Sequence, residues 1–274
     1  MTLAPLALMN DGRRIPQVGF GVLQVPDDEV TAATLTAFEC GYRHVDTAAI
    51  YENERGVGLA VKDCGLPRED LFITTKVWNT DHGYDATLRA FDRSLELLGV
   101  DYVDLYLVHW PSPATGDYLA TWDAVLALQD RGVARSVGVS NFHVPHLESI
   151  IERFGVVPAI NQIELHPWLP QAEIRAFDAQ HGILTEAWSP LAGGQLLADP
   201  ALAAVGAKYG KTAAQVLIRW HLELGNVVLP KSVTPERIRQ NIEVFDFGLD
   251  EEDFAAIAAL ETGRRTGPHP DDFM

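Results

Sequence analysis

Cysteine is nearly absent from this chain. Cys40 and Cys64 are the only two in 274 residues; neither has a partner at CxxC spacing, and two thiols cannot build a disulfide framework. Basic residues are scarce as well, with 21 Lys and Arg against 38 Asp and Glu and a net charge of −17. Nucleic acid is held by clustered cations, so the balance argues against such a partner, although a small anion could still be held where positive charge is concentrated. No apolar stretch approaches the roughly 20 residues a membrane helix requires. The opening MTLAPLALMNDGRRIP has a brief apolar segment with no basic flank before it, so no secretory signal is expected and the protein reads as cytoplasmic.

What is present suits a soluble chain with a sizeable core: 47% hydrophobic and 22% charged residues. Short apolar runs recur, namely QVGFGVLQV, YRHVD, LFITTKVW, VDLYLVHW, ARSVGVSNF, PAINQIEL, GILTEAWS and NVVLPKS. Each is near-continuous rather than alternating, the pattern of parallel strands covered on both faces. Between them lie helical patterns. In DATLRAFDRSLELLG, Leu88, Phe91, Leu95 and Leu98 recur at three- and four-residue steps and Gly99 follows as a C-cap. DEVTAATLTAFECG, YLATWDAVLALQDRG, QAEIRAFDAQHG and TAAQVLIRWHLELG each close on glycine too, as at a helix-to-strand junction.

No Ser- or Pro-rich linker divides the chain, so one domain over residues 1–274 is expected. Eight strand–helix alternations predict an α/β fold, a (β/α)8 TIM barrel. A doubly wound open sheet would want a glycine fingerprint after an early strand, and GVGLA at 56–60 lacks the third glycine.

Barrel chemistry sits at the C-terminal ends of the strands. Asp46 closes the second run, Lys76 lies near the end of the third, His109 ends the fourth, and Tyr51 follows on the loop after Asp46. Singly these are a capping Asp, a surface Lys, a core His and a loop Tyr. Neighbouring strands about 4.8 Å apart would bring them into one patch. There an ammonium favours the phenolate and is expected to lower the phenol's pKa from its usual value of about 10. Asp46 would fix the ammonium, and His109 would hydrogen-bond the oxygen that receives the proton. Such an acid needs a partner that attacks carbon. No HExxH or paired-Cys ligand set appears, and His143, His146 and His166 stand near strand ends without clustered carboxylates, so no metal is expected. A bound reductant is the better candidate.

The segments DTAAIYENE, TTKVWN, LVHWP, GVSNF, NQIELHP, EAWSPL and LPKSVTPERI, in this order from about residue 15 to 248, resemble the signature segments of the aldo-keto reductase superfamily. EAWSPL and the closing TGRRTGPHPDDF look most like the prokaryotic branch that includes the diketogluconate reductases. The resemblance implies a barrel whose floor is closed by an N-terminal β-hairpin around MNDGRRIP, and NADPH-dependent reduction of aldehydes or ketones by hydride transfer. It makes Tyr51 the proton donor, tuned by Lys76 and Asp46, with His109 orienting the carbonyl.

It also implies that Ser140, Asn141 and Gln162 hold the nicotinamide carboxamide and that Trp188 stacks under the ring. Gly21 and Val22 would line the same NADPH/NADP+ site. Ser189 and Leu191, in SPLAGGQL, would lie by the pyrophosphate, unless the Gly pair there is only a flexible connector. Lys231, Ser232, Val233 and Arg237 would face the 2′-phosphate, and Gln240 and Asn241 the adenine. Leu23, Ile50, Trp78 and Trp110 would wall the substrate pocket, although the family commonly has an aromatic residue where Leu23 stands. The family habit is monomeric, with no obligate protein partner and a small carbonyl substrate. A regulatory protein on the same fold is the competing class; the complete Asp-Tyr-Lys-His set favours an enzyme.

Overall fold

Near-continuous apolar strands are stable only with cover on both faces, and here eight of them pair side by side in chain order. The computed structural model describes residues 3–114 and 117–273. An antiparallel hairpin comes first, β1 (Leu6–Leu8) with β2 (Arg14–Pro16). The parallel sheet follows: β3 (Phe20–Gly21), β4 (His44–Asp46), β5 (Phe72–Val77), β6 (Val103–Val108), β7 (Ala134–Ser140), β8 (Ile160–Glu164), β9 (Leu184–Trp188) and β10 (Val227–Val228). The two ends of the sheet meet. The Gly19 N–H donates to the Val228 carbonyl and the Val228 N–H to the Gln17 carbonyl, both at 2.9 Å. The fold is a (β/α)8 barrel. Its first strand is far shorter than the apolar run QVGFGVLQV, because only Phe20 and Gly21 keep a ladder with β4.

Around the sheet run α1 (Asp27–Cys40), α2 (Glu54–Asp63), α3 (Tyr84–Leu98), α4 (Tyr118–Asp130), α5 (Val144–Phe154), α6 (Ala172–His181), α7 (Pro200–Tyr209), α8 (Ala213–Glu223), α9 (Pro235–Ile242) and α10 (Glu251–Ala258). The GVGLA stretch lies inside α2. Its glycines serve packing: a Cβ on Gly56 would strike Val30 of α1, and one on Gly58 would strike the Leu98 carbonyl at the end of α3. Met9 and Ile15, on either side of the hairpin turn, are buried with Phe72, Leu105, Leu107, Ala159, Ile160 and Val227. The hairpin thus stoppers the barrel at the strands' N-terminal end, and the opposite rim is left for the site. No helix among the described residues is long and apolar enough to cross a membrane.

Candidate active site

The three strand ends expected to carry chemistry do converge. Asp46 is the last residue of β4, Lys76 the penultimate residue of β5, and His109 follows the last residue of β6. Lys76 is fully buried. Its ammonium donates to Asp46 Oδ1 at 2.6 Å and to the Thr47 carbonyl at 2.8 Å. A single helical turn, Ala49–Tyr51, swings the phenol back over this pair, and Lys76 Nζ lies 5.2 Å from the Tyr51 ring centroid. The His109 ring meets the Tyr51 ring edge-on at 5.7 Å.

The electrostatics depart from the sequence expectation in one respect. Burial pushes the Tyr51 phenol above its usual value, and this outweighs the lowering by the Lys76 charge and hydrogen bond. The resting phenol is therefore firmly protonated. Burial also opposes the Lys76 charge, but Asp46, Tyr51 and Glu186 together hold the ammonium above its usual range. His109 is pushed well down by burial, with Lys76 and His82 adding to the effect, so its imidazole is neutral. A neutral imidazole carries one N–H donor.

The rim beyond is aromatic. Trp78 meets His109 edge-on at 5.1 Å, and Trp110 lies nearly parallel to it at 6.5 Å. Phe273 packs on both indoles, 4.5 Å from Trp110 and 5.9 Å from Trp78. Leu23 and Ile50 are exposed, at 44% and 41%.

The chain matches the Aldo/keto reductase family over residues 17–262. It belongs to the aldo/keto reductase family. An aldo-keto reductase of Mycolicibacterium smegmatis is 56% identical over 271 residues, covering 99% of this chain and 98% of the relative. Methylglyoxal reductase DkgA of Escherichia coli K12 is 50% identical over 267 residues, covering 97% and 96%. Among solved structures, a mutant of Gox0644 in complex with NADPH superposes with a TM-score of 0.95 at 44% identity, covering 100% of both chains.

In this aldo/keto reductase the residues expected to hold a nicotinamide lie together on the next strand ends. Asn141, in the left-handed region at φ 63°, donates to the His109 carbonyl at 2.9 Å and to Ser140 Oγ at 3.1 Å. It accepts from the Trp188 indole at 2.8 Å. Ser140 Oγ donates to the Gln162 carbonyl at 2.8 Å. Gly21 and Val22 are buried at the mouth of β3. The Val22 backbone is already used, its N–H on the Asp46 carbonyl and its carbonyl on Asn53 Nδ2. Ser189 is strained at φ 48°, while Leu191 leads into a turn where Gly193 and Gly194 both take positive φ. Farther out, Ser232 Oγ accepts from the Thr234 N–H at 3.1 Å at the start of α9. Lys231, Val233 and Arg237 are exposed, and neither cation has a carboxylate within 4 Å among the described residues. Gln240 donates to Glu236 at 2.9 Å, and Asn241 is buried.

Sequence reasoning missed several participants. Thr47 supplies a carbonyl to Lys76. Asn53 ties the loop after β3 to the loop after β4 through Val22, Val25 and Thr47. Glu186 is fully buried beneath the site; its position two residues before Trp188, on the same strand face, was the available signal.

The histidines described above as lacking carboxylates in fact have them, from a near neighbour for His166 and from the distant C-terminal segment for His143 and His146. His166 bonds Glu164 at 3.0 Å, and Asp271 lies 2.8 Å from His143 Nδ1 and 3.9 Å from His146 Nε2. His143, His269 and Asp271 bring potential ligand atoms within 4.8 Å of one another, but His143 is spent on Asp271 and on Arg265 at 3.4 Å. These contacts anchor the C-terminal segment. Glu164 also accepts from Thr266 Oγ1 at 2.7 Å, and a Cβ on Gly267 would strike the Trp188 ring. The tail thus sets both Trp188 and Phe273.

Proposed function

We propose that this chain reduces small aldehydes and ketones to alcohols with NADPH, as a single barrel domain over residues 1–274, monomeric and cytoplasmic. One observation carries the reading: a buried ammonium, fixed by a carboxylate, faces a half-buried phenol beside a neutral imidazole. Each member suits proton delivery to a carbonyl oxygen.

The donor set fits a nicotinamide dinucleotide. Hydroxyl and amide groups of Ser140, Asn141 and Gln162 match a carboxamide, and the Trp188 face matches a flat heterocycle. The turn around Ser189 and Leu191 and the start of α9 offer backbone donors near phosphates. Lys231 and Arg237, without a carboxylate partner among the described residues in a chain of net charge −17, suit a 2′-phosphate, Arg through its fork of donors. When bound, such a cofactor supplies the hydride.

The chain's own residues do the rest. Tyr51, held protonated by burial, is the proton donor. Lys76 lies where it meets the negative charge left on the phenolate, in a shielded site where such an interaction is strong. Asp46 fixes Lys76. His109, neutral, donates a hydrogen bond that orients the carbonyl, and Trp78, Trp110 and Phe273 exclude water around it, with Ile50 and Leu23 at the outer edge. The relatives named methylglyoxal reductase support a small carbonyl as substrate.

The test is direct. Purified protein mixed with NADPH and a small aldehyde such as methylglyoxal is expected to consume the cofactor and form the alcohol in equal amounts. No consumption across a panel of aldehydes, ketones and diketones overturns the reading.

A further inference from the structure

Beneath the tetrad lies a second buried carboxyl that the mechanism above does not use. Glu186 of β9 stands opposite Gln162 of β8 in the sheet register, and both are buried inside the barrel. The Gln162 amide donates one hydrogen to Glu186 Oε2 and the other to Asp46 Oδ2, each at 2.8 Å. Two acceptors on one nitrogen fix the amide's orientation, since only its NH2 end can donate. A residue expected to face the cofactor is therefore also the bridge between two carboxyls.

The groups around Glu186 decide its charge. From β4 come Asp46 and His44 and from β5 Lys76; on β10 its register partner is the apolar Val227. His44 is held neutral, pushed down to about 3 by burial, and its Nε2 is 3.9 Å from Glu186 Oε1. Lys76 is thus the one cation among these groups and faces two carboxyls. Like charges this close in a dry site do not both ionise readily. Asp46 has the ammonium at 2.6 Å as well as the amide. Glu186 has only the amide, and its Oε1 is buried with no hydrogen-bond partner among the described residues. The proton belongs on Glu186. Burial and then the Asp46 charge push its carboxyl up to about 8.

We propose that Glu186 is a positioning residue of the tetrad: protonated at neutral pH, it holds Asp46 through Gln162 and leaves Asp46 as the single counter-charge of Lys76. Its ionisation in alkali adds a second negative charge beside the ammonium, spends part of the field that Lys76 offers to the phenolate, and slows proton delivery from Tyr51. This role rests on the reading of Tyr51 as the donor. The location of the proton does not.

Two measurements separate them. Infrared titration of the protein without cofactor or substrate is expected to show, beside the band of Asp178 that fades near 7, a protonated-carboxyl C=O component that fades with a midpoint near 8 and is missing from Glu186→Gln. A wild type with no component titrating near 8, or with that component unchanged in the variant, overturns the assignment of the proton; the wild-type titration needs no variant to fold. In the second arm, kcat for carbonyl reduction is followed against pH. Glu186→Gln, permanently neutral and nearly isosteric, is expected to move the alkaline midpoint upward by about one pH unit or more. Identical midpoints in the two proteins overturn the positioning role. A wild-type chain without reductase activity overturns the functional reading, and the positioning role with it, while the infrared arm still decides where the proton sits.

Discussion

At the scale of single residues the site is governed by what burial does to charge. Asp46, Lys76 and His109 were legible because each is a polar residue at the end of an apolar run, where a barrel exposes chemistry. The state of Tyr51 was not legible: the sequence suggests a nearby ammonium, but how far the half-buried phenol is shielded from water depends on the surrounding loops. Asp178 was hidden, since a carboxylate inside a helix reads as facing solvent, whereas Glu186 had only its strand-face alignment with Trp188 to mark it.

Asp178 shows the cost. It is buried, accepts from Thr185 at 2.9 Å and Asn161 at 3.4 Å, and burial raises it to about 7. Its folded-state value lies above the unfolded one of about 4. The stability this gives is therefore complete below about pH 4 and is lost as pH rises through about 7. Asp178→Asn removes the titration. The difference in Tm, variant minus wild type, is expected to be more positive at pH 8 than at pH 5 by on the order of 3 °C; thermal unfolding at the two pH values checks it, and a constant difference contradicts it.

At the scale of elements, all eight sheet strands could be read from their runs, because parallel strands buried on both faces leave a nearly unbroken apolar signature. The length of the first could not, since it depends on which backbone groups still reach β4. The helix α2 was obscured by Gly56 and Gly58, residues that lower helix propensity yet are needed here so that α1 and α3 can pack close.

Thr234 as N-cap and Pro235 as first residue open α9, a common pattern for a helix start. Its exposed Arg237 supports a prediction. Arg237→Ala is expected to weaken NADPH binding about tenfold or more, the scale of a charge-assisted hydrogen bond, and to leave NADH binding nearly unchanged. Fluorescence titration with both cofactors measures this, and parallel weakening contradicts the 2′-phosphate role.

At the scale of the whole molecule, barrel closure assembles the site from segments far apart in the chain. The proposed acid and its supports come from residues 46 to 109, the amide and indole proposed to cradle the cofactor from 140 to 188, and the exposed cations from 231 to 237. The C-terminal tail reaches back across the rim, bonding Glu164 and His143 and laying Phe273 on Trp78 and Trp110. None of these tail contacts was legible, because pairings such as Glu164 with Thr266 span about a hundred residues and carry no motif.

The central claim is that these parts exist to deliver a proton from one phenol. The most direct measurement is Tyr51→Phe, which keeps the ring and removes only the hydroxyl, assayed for kcat and, separately, for the Kd of NADPH. The account predicts that kcat falls by about 10²- to 10⁴-fold while Kd stays within about twofold. Turnover that survives the substitution, or an equal loss of NADPH binding, would contradict it.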